Sequence, residues 1–410
     1  MIKKIFAALF LVLMLTACAN GETPAPTATA TEPIAIAATS TSKPSPIPPT
    51  ETATLAPTLT ETPAATPTPE VIAYGPANFP ANVNPLTGLI VSDPAMLDRR
   101  PVAIKINIVP RFLYRPPWGL NYADIVYDYY HNDGYARFHA VFYANDVELA
   151  GPIRSGRLLD HDLVRMYKSM FAFGSADDLI YQRFRNAEYS DRLVLEGSGS
   201  NCPATAASPL CRYAPSGGDL LLGGTQAIRD YLVGRGVDNQ RQPLEGMTFN
   251  ATVPSGGEAA SQIYVRYSGD NYARWDYDEA SGRYLRFQDK VFDTGQGEEY
   301  EPLIDKIDNT QVAADNVVVL VVRHEYYQRP PNEIVEVLLS GTGTAYLFRD
   351  GQVYQVVWNR PTIDSVLFLT NTDGTPFPFS PGTTWFQVVG ETTAITEPAA
   401  GAWRFNFSFP

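Results

Sequence analysis

The sequence predicts an α+β protein in which an N-terminal mixed α/β domain is followed by a β-rich C-terminal domain, after a disordered stalk. Three observations support this prediction. Strand-like and helical patterns alternate between residues 83 and 240. From residue 247 to residue 410 the patterns are nearly all strand-like and are separated by turn signals. Ahead of both segments lies a proline- and threonine-rich stretch that has too few apolar residues to form a core.

Residues 1–17 have the pattern of a secretory signal peptide. Lys3 and Lys4 form a positive segment, and residues 5–15 form an apolar run that is too short for a membrane-spanning helix of about 20 residues. The motif Leu-Thr-Ala-Cys at residues 15–18 resembles the lipobox of bacterial lipoproteins. This resemblance implies that Cys18 is diacylated and that the signal is removed before it. The alternative is an ordinary signal peptide with an incidental cysteine.

Residues 18–80 are predicted to form a lipid-anchored, disordered linker. Of the 50 positions from 21 to 70, 35 are threonine, proline or alanine. Such a composition buries too little apolar surface to offset the conformational entropy lost on folding. Repeated proline favours an extended chain of about 3.1 Å per residue, so the stalk could reach roughly 150 Å. We therefore expect the folded part to be displayed on the outer face of the bacterial cell membrane.

The acidic balance of the chain limits its partners. The formal net charge is -13, and removal of Lys3 and Lys4 with the signal peptide would make it two units more negative. So acidic a chain does not favour nucleic acid, whose phosphates need basic contacts, and we expect no nucleic-acid partner. The expected membrane contact is the lipid on Cys18, since two acyl chains suffice for stable anchoring.

The predicted N-terminal domain, residues 83–240, contains both strands and helices. Its predicted strands are PVAIKINIV (101–109), ADIVYDYY (123–130), ARFHAVFYA (136–144) and the entrance MFAFG (170–174). Residues 155–171 and 225–236 are predicted helices, the second ending at Gly236. In ADIVYDYY, alternation places Tyr127 and Tyr129 on one face of the strand, and Asp128 and Tyr130 on the other.

The predicted C-terminal domain, residues 247–410, is nearly all strand. Its strand patterns are QIYVRY, YARWDYD, RYLRFQ, NVVVLVVRHEY, EIVEVLLS, TAYLFRD, QVYQVVWNR, SVLFLT and TWFQVV. Turn signals separate them, notably EASGR (279–283), RDGQ (349–352) and NTDGT (371–375). This pattern indicates a β-rich unit.

Cys202 and Cys211 are predicted to form a disulfide. Thiols outside the cell tend to pair, and the short intervening segment forms a loop that closes easily. A metal pair is the alternative, but this segment lacks the two-residue spacing and a neighbouring histidine.

No motif for catalysis or cofactor binding is evident. The histidines are not in zinc spacing, and the chain has no Gly-x-Ser-x-Gly elbow, phosphate loop or Gly-x-Gly-x-x-Gly. We therefore predict no metal, no cofactor and no catalytic residue.

Several stretches of the chain resemble the YerB-like lipoproteins, which carry a paired domain of unknown function. The matching stretches are NPLTGL (84–89), RRPVAIKIN (99–107), RPPWGLNYADIVYDYY (115–130), RFHAVFYANDVELAGPIRSGR (137–157) and PGTTWFQVV (381–389). The resemblance implies an N-terminal α/β domain, a β-rich C-terminal domain and a surface location, with no established reaction. The chain departs from the family at Ile108, where the family usually has Asn, and at Ser216, where relatives tend to have His.

The segment GPIRSGRLLDHDLVRMYK (151–168) carries the candidate ligand site. Ser155 is expected to cap the predicted helix. Spacing of 100° per residue then places one basic face opposite an apolar face; the basic residues are Arg154, Arg157, His161, Arg165 and Lys168. Cations in the first helical turn oppose the helix dipole. An anion at that point would make the arrangement favourable, because N–H groups and guanidinium groups would converge on one oxyanion.

Two kinds of anion fit the pattern. One is the carboxylate or phosphate of a ligand, and the other is an internal carboxylate such as Asp124 or Asp128 on a neighbouring strand. Arg137, which opens the strand before the helix, could join either arrangement. The predicted ligand-binding residues are therefore Arg137, Arg154, Arg157, Asp124 and Asp128.

Three functions are compatible with these features. The first is a non-catalytic, membrane-anchored binding or envelope-associated protein that recognises an anionic wall polymer, a glycan or a protein partner. The second is an enzyme acting on envelope glycan or peptide through scattered acids, since paired carboxylates need no sequence motif; the candidates are Asp124, Asp128, Asp160 and Asp162. The third is a structural spacer or assembly factor. The absence of a nucleophile motif favours the first.

Overall fold

The computed structural model describes residues 73–197, 200–214 and 219–409. The predicted signal peptide, Cys18 and the linker up to residue 72 lie outside the described residues, as does Ser216. No helix in the described ranges is long and apolar enough to span a membrane.

Helices are few and short in the described residues. The α-helices are α1 (Arg111–Tyr114), α2 (Leu158–Tyr167), α3 (Asp178–Arg185) and α4 (Thr225–Gly234). Single turns of 3-10 helix cover Pro94–Leu97, Leu120–Tyr122 and Ser190–Arg192. The helices predicted at 155–171 and 225–236 are confirmed in shorter form as α2 and α4, whereas α3 was not predicted.

Strands make up most of the regular structure. The first nine are β1 (Ala73–Tyr74), β2 (Val102–Ile106), β3 (Ile125–Asn132), β4 (Tyr135–Phe142), β5 (Met170–Phe173), β6 (Leu193–Leu195), β7 (Ser200–Asn201), β8 (Leu210–Tyr213) and β9 (Leu220–Gly223). The α+β prediction is therefore confirmed only in part, because the protein is mostly β with few helices.

The later part of the described chain adds strands and no further helix. These are β10 (Phe249–Asn250), β11 (Glu258–Ala259), β12 (Gln262–Ser268), β13 (Asn271–Asp278), β14 (Arg283–Asp289), β15 (Tyr300–Pro302), β16 (Ala313–Ala314), β17 (Asn316–Val321), β18 (His324–Gln328), β19 (Ile334–Val337), β20 (Gly341–Arg349), β21 (Gln352–Arg360), β22 (Phe368–Thr370), β23 (Thr384–Val389), β24 (Ala394–Ala399) and β25 (Ala402–Asn406). The predicted strands of this part correspond to observed strands, except that NVVVLVVRHEY is divided into β17 and β18. The strands that were not predicted are β10, β11, β15, β16, β24 and β25.

The largest sheet joins the two halves of the chain. Its strand order is β11-β21-β20-β17-β23-β3-β4-β2-β5-β6, and β22 also pairs with β21. At the junction β23 lies parallel to β3, with Phe386 opposite Tyr127. The sheet therefore continues across the predicted domain boundary near residue 240. Most buried apolar side chains likewise form one cluster, from Leu86 to Phe405, and a small second cluster contains Tyr114, Cys211, Leu220 and Leu222.

A second sheet packs against the large one. Its order is β15-β14-β13-β12-β25-β24, with β16 also paired to β14, and β25 joins β12 in parallel. Smaller sheets are formed by β1 with β10, by β18 with β19, and by β7, β8 and β9.

Strand β3 is almost completely buried because it lies between helix α2 and the second sheet. The Tyr129 hydroxyl donates to Asp160 of α2, whereas the Asp128 carboxylate binds Arg286 of β14. The predicted alternation of this strand is thus confirmed, with the two faces directed into two different layers.

Helix α2 begins later than the sequence predicted. Arg157 is its N-cap residue, and the Arg157 backbone N–H donates to Asp160 Oδ2 at 2.7 Å. The predictions that Ser155 caps the helix and that Arg154 and Arg157 lie in its first turn are therefore wrong. The physical reason is that the carboxylate of Asp160 reaches back to the cap position, while Ser155 Oγ bonds Ser175 Oγ at 2.8 Å instead.

Candidate functional site

Asp128 belongs to an internal ion pair. Its Oδ2 accepts a hydrogen bond from Arg286 Nη2 at 2.8 Å, and both side chains are buried. The guanidinium carbon lies 4.6 to 5.1 Å from the ring centroids of three aromatic side chains, Trp385, Trp275 and Phe138. Burial raises the pKa of Asp128, and the charge of Arg286 opposes that rise. The pair is sealed between the two sheets.

Asp124 is enclosed as well. Its Oδ1 accepts from Asn84 Nδ2 and its Oδ2 from the Tyr143 backbone N–H, each at 2.6 Å. Burial raises the pKa of Asp124 to about 6, although these hydrogen bonds favour the ionised form. Neither Asp124 nor Asp128 binds the arginines that precede α2 within the described residues, so the internal salt bridge considered from the sequence is not formed.

Asp160 is the centre of a buried polar cluster between β2, β3, β4 and α2. Its Oδ1 accepts hydrogen bonds from the Tyr129 hydroxyl, from Lys105 Nζ at 3.2 Å and from His139 Nδ1 at 2.9 Å. Burial opposes ionisation of Asp160, but the charge of Lys105 and the His139 hydrogen bond outweigh it and hold the pKa well below its ordinary value. Burial also lowers the pKa of Lys105 to about 7. We call Lys105, Tyr129, His139 and Asp160 the Asp160 cluster.

Arg157 lies beside this cluster and lines an open cavity of about 380 Å³. Its guanidinium has only neutral acceptors: Nε donates to His131 Nδ1 at 3.3 Å, and Nη1 donates to the Gly156 carbonyl at 2.9 Å and the Ser155 carbonyl at 3.3 Å. Burial lowers the pKa of Arg157. Burial also lowers the pKa of His131 well below its ordinary value, so that His131 is a neutral acceptor. We call this space the Arg157 cavity.

Arg137 places a second positive charge next to Arg157. Its Nη1 donates to the Ser155 carbonyl at 3.0 Å, the same oxygen that Arg157 uses. Its Nε is buried and has no hydrogen-bond partner among the described residues. Burial, and then the like charge of Arg157, lower the pKa of Arg137 to about 9. Within the described part of the chain no carboxylate forms a salt bridge with either arginine, since none of the ion pairs found there includes them. The two guanidinium groups therefore lie close together without a salt-bridge partner among the described residues, and the charge of the buried Asp160 opposes the lowering of both pKa values only in part.

Carboxylates also line the Arg157 cavity. Glu333 is buried and accepts from the Tyr130 hydroxyl at 3.0 Å and from the Asp133 backbone N–H at 2.8 Å. Asp133 and Asp177 are exposed at the same cavity, and Asp177 accepts the Leu179 N–H at the start of α3. The cavity thus combines the Arg157 guanidinium with carboxylate acceptors that have no cation partner among the described residues.

Arg154 lies elsewhere. Its guanidinium carbon stacks 4.7 Å from the Tyr114 ring centroid, and the nearby charges that influence it belong to the segment around the disulfide, such as that of Arg212. The predicted disulfide between Cys202 and Cys211 is present. The structure therefore separates Arg154 from Arg157, and it brings Arg137 and Arg157 together.

Sequence reasoning missed most of the cavity. Glu333 comes from the loop before β19, some 200 residues after Asp133, and no local pattern could have linked them. His131 had a usable signal, because alternation along β3 places it on the face of Tyr129. The face of Lys105 depends on the pairing of β2 with β4, which the sequence pattern does not give. Among the described residues, no group of three or more His, Cys, Asp or Glu is arranged to hold a metal ion.

Comparisons with known proteins identify the family. The descriptions "Protein of unknown function (DUF3048) N-terminal domain" and "C-terminal domain" match residues 86–206 and 263–386, which together exceed half of the chain. A relative from Bacillus subtilis (strain 168), named "Putative lipoprotein YerB", is 25% identical over 320 residues, which is 76% of this chain and 87% of the relative.

A solved structure agrees with this assignment. The crystal structure of the YerB protein from Bacillus subtilis matches with a TM-score of 0.59 and 22% identity, over 75% of this chain and 96% of that chain. This likeness shows a common fold. The chain belongs to the YerB-like family, which is defined by the paired DUF3048 domains.

Proposed function

We propose that this protein is a membrane-anchored, extracytoplasmic binding lipoprotein that takes up an anionic group of an envelope component in the Arg157 cavity. The observation that carries the proposal is the pair formed by Arg157 and Arg137, which share one carbonyl acceptor and form no ion pair in the described residues. Removing a guanidinium from water without a counter-ion is unfavourable. An anion bound between the two would relieve both the desolvation and the mutual repulsion.

The position of Arg157 suits this role. Nε and Nη1 are held by His131 and by two backbone carbonyls, and Nη2 has no acceptor among the described residues. A guanidinium that is already oriented loses little side-chain entropy when a ligand binds. The anion would be the carboxylate or phosphate of a wall polymer, a glycan or a protein partner.

Catalysis is the less favoured function because the aspartates considered for it are held by other groups. Asp124, Asp128 and Asp160 are buried with the partners described above. Asp162 Oδ1 accepts from Arg360 Nη1 at 2.9 Å. A general acid or base must reach the substrate, whereas these carboxylates bind groups within the protein.

The anchor completes the proposal. The membrane attachment would be the lipid on Cys18, and residues 18–80 would act as a tether between the outer face of the membrane and the folded residues. The lipoprotein name of the Bacillus subtilis relative supports this location. Labelling cells with a radioactive fatty acid tests it: wild type should be labelled, and Cys18→Ala should not. A labelled Cys18→Ala variant would contradict the assignment.

Binding is tested with the full chain and purified envelope fractions. The amount of Arg157→Gln protein that the fractions retain should be at least about 90% lower than that of wild type, because the oriented guanidinium is absent. The matched control is Arg165→Gln on the same helix, since Arg165 lies outside the Arg157 cavity and pairs with Glu188 and Asp364. Equal retention of wild type and Arg157→Gln, or no retention of wild type by any fraction, would overturn the proposal.

A further inference from the structure

The Arg157 cavity carries charges of both signs that do not neutralise each other. Its lining includes the guanidinium of Arg157 and the carboxylates of Asp133, Asp177 and Glu333. Burial lowers the pKa of Arg157, and the charges of Asp160 and then of Asp177 and Asp133 oppose this effect only in part. Within the described residues no salt bridge joins Arg157 to these carboxylates, although ion pairs are frequent elsewhere in the chain. The guanidinium and the carboxylates therefore remain available to a ligand in the same cavity.

Local structure keeps the carboxylates in place. Asp177 is the N-cap of α3 and Glu333 is bound to the Tyr130 hydroxyl and the Asp133 N–H. Asp133 is held at a positive φ of 54°, next to Gly134 in the turn between β3 and β4. These carboxylates are thus fixed in turns and caps, and none of them forms a salt bridge with Arg157 among the described residues. The Tyr130 ring, which lies behind Glu333, is stacked on Phe407 with centroids 4.9 Å apart.

We infer that the Arg157 cavity binds a zwitterionic ligand, namely a short peptide or amino acid that carries a free ammonium and a free carboxylate. The inference rests on the proposed function and extends it by naming the ligand class. The ligand carboxylate binds Arg157, beside which Arg137 adds positive charge, and the ligand ammonium binds among Glu333, Asp133 and Asp177. A simple anion would satisfy the guanidinium groups and leave three carboxylates facing it, which is electrostatically unfavourable. The volume of about 380 Å³ lies within the usual range for small-molecule sites.

Three small probes test the contribution of each ligand charge to binding. Glycylglycine carries both charges, N-acetyl-glycylglycine carries only the carboxylate, and glycylglycine amide carries only the ammonium. Binding to the full chain would be measured by saturation-transfer NMR titration. We expect glycylglycine to bind at least about tenfold more tightly than N-acetyl-glycylglycine, and glycylglycine amide to show no saturable binding.

Variants then test which residues bind each charge of the ligand. Asp133→Asn/Asp177→Asn should weaken glycylglycine at least about fivefold and leave N-acetyl-glycylglycine unchanged or tighter. Asparagine tolerates both the positive φ at 133 and the helix cap at 177, so the fold should persist. Asp178→Asn is the matched control, because this exposed acid of α3 does not line the cavity. Arg157→Gln should abolish binding of glycylglycine and of its N-acetyl form.

The outcomes distinguish this inference from the function on which it rests. If the N-acetyl form binds through Arg157 as tightly as glycylglycine does, the site takes anions and the zwitterion inference fails. If no probe binds in an Arg157-dependent manner and inorganic phosphate also fails, both the inference and the proposed function fail. An unchanged glycylglycine affinity in Asp133→Asn/Asp177→Asn would also overturn the inference.

Discussion

Two arginines on opposite sides of strand β3, the buried Arg286 and the partly buried Arg157, have opposite environments. Arg286 binds the Asp128 carboxylate at 2.8 Å and is surrounded by aromatic rings between the two sheets. Arg157 has neutral acceptors, lies next to Arg137, and lines a cavity. The first is a buried ion pair in which the two charges neutralise each other. The second retains an unmet requirement for negative charge, and this requirement is the basis of the proposed binding function.

The largest effect should come from breaking the buried ion pair. Arg286→Met leaves the Asp128 carboxylate buried and unpaired, so we expect a loss of about 3–5 kcal/mol in the free energy of unfolding at neutral pH. Urea denaturation followed by tryptophan fluorescence measures this loss. The double variant Asp128→Asn/Arg286→Met should recover part of it, because no buried charge remains. A loss below about 1 kcal/mol for Arg286→Met would show that the pair is not sealed.

The Asp160 cluster should respond similarly but less strongly. Asp160→Asn removes the counter-ion of Lys105 and leaves one side-chain oxygen to accept the hydrogen bonds that two oxygens accept in Asp160. We expect a loss of about 2–4 kcal/mol in the free energy of unfolding at pH 6, where Lys105 is mainly protonated. The loss should be smaller at pH 9, because the lysine can become neutral. A loss that is independent of pH would contradict the role of Asp160 as the counter-ion.

The buried, neutral His324 predicts how the stability of the protein depends on pH. His324 Nδ1 bonds the Val322 carbonyl at 2.8 Å, and burial lowers the pKa of His324 to about 4. Since the unfolded state binds a proton near pH 6.5 and the native state does not, stability falls as pH decreases from 6.5 towards 4. The expected loss is about 3 kcal/mol at pH 4.

The contribution of His324 is measured from thermal melts between pH 4 and 7. His324→Asn keeps a donor for the Val322 carbonyl and removes the titration, so its melting temperature should depend less on pH than that of wild type. An identical pH dependence in wild type and His324→Asn would rule out this residue as a source of the acid sensitivity.

The smallest stability effect is expected at Arg157 itself. Arg157→Gln removes a desolvated cation that has no counter-ion, so the free energy of unfolding should change by less than about 1 kcal/mol in either direction. The same urea assay compares it directly with Arg286→Met. If Arg157→Gln were as destabilising as Arg286→Met, the cavity arginine would be a structural residue and the contrast between the two regions would disappear.

Local sequence patterns predicted much of the fold. The period of two in residues 123–130 located β3 and separated the face of Asp128 from that of Tyr129, because strand alternation is a property of the backbone. The strand patterns of the later half were recognised for the same reason, whereas β24 and β25 were missed because of their weak apolar pattern, with β24 largely exposed. The start of α2 was misplaced because its cap depends on the Asp160 carboxylate.

By itself, the sequence determined the positions of most strands, the pairing of Cys202 with Cys211 and the family of the chain. These features depend on short-range periodicity, on loop closure and on matched motifs. Only the tertiary structure decided which charges meet. Asp128 and Arg286 are 158 residues apart, and Asp133 and Glu333 are 200 apart. Partner choice over such separations is set by how sheets and helices pack, and no local pattern encodes that arrangement.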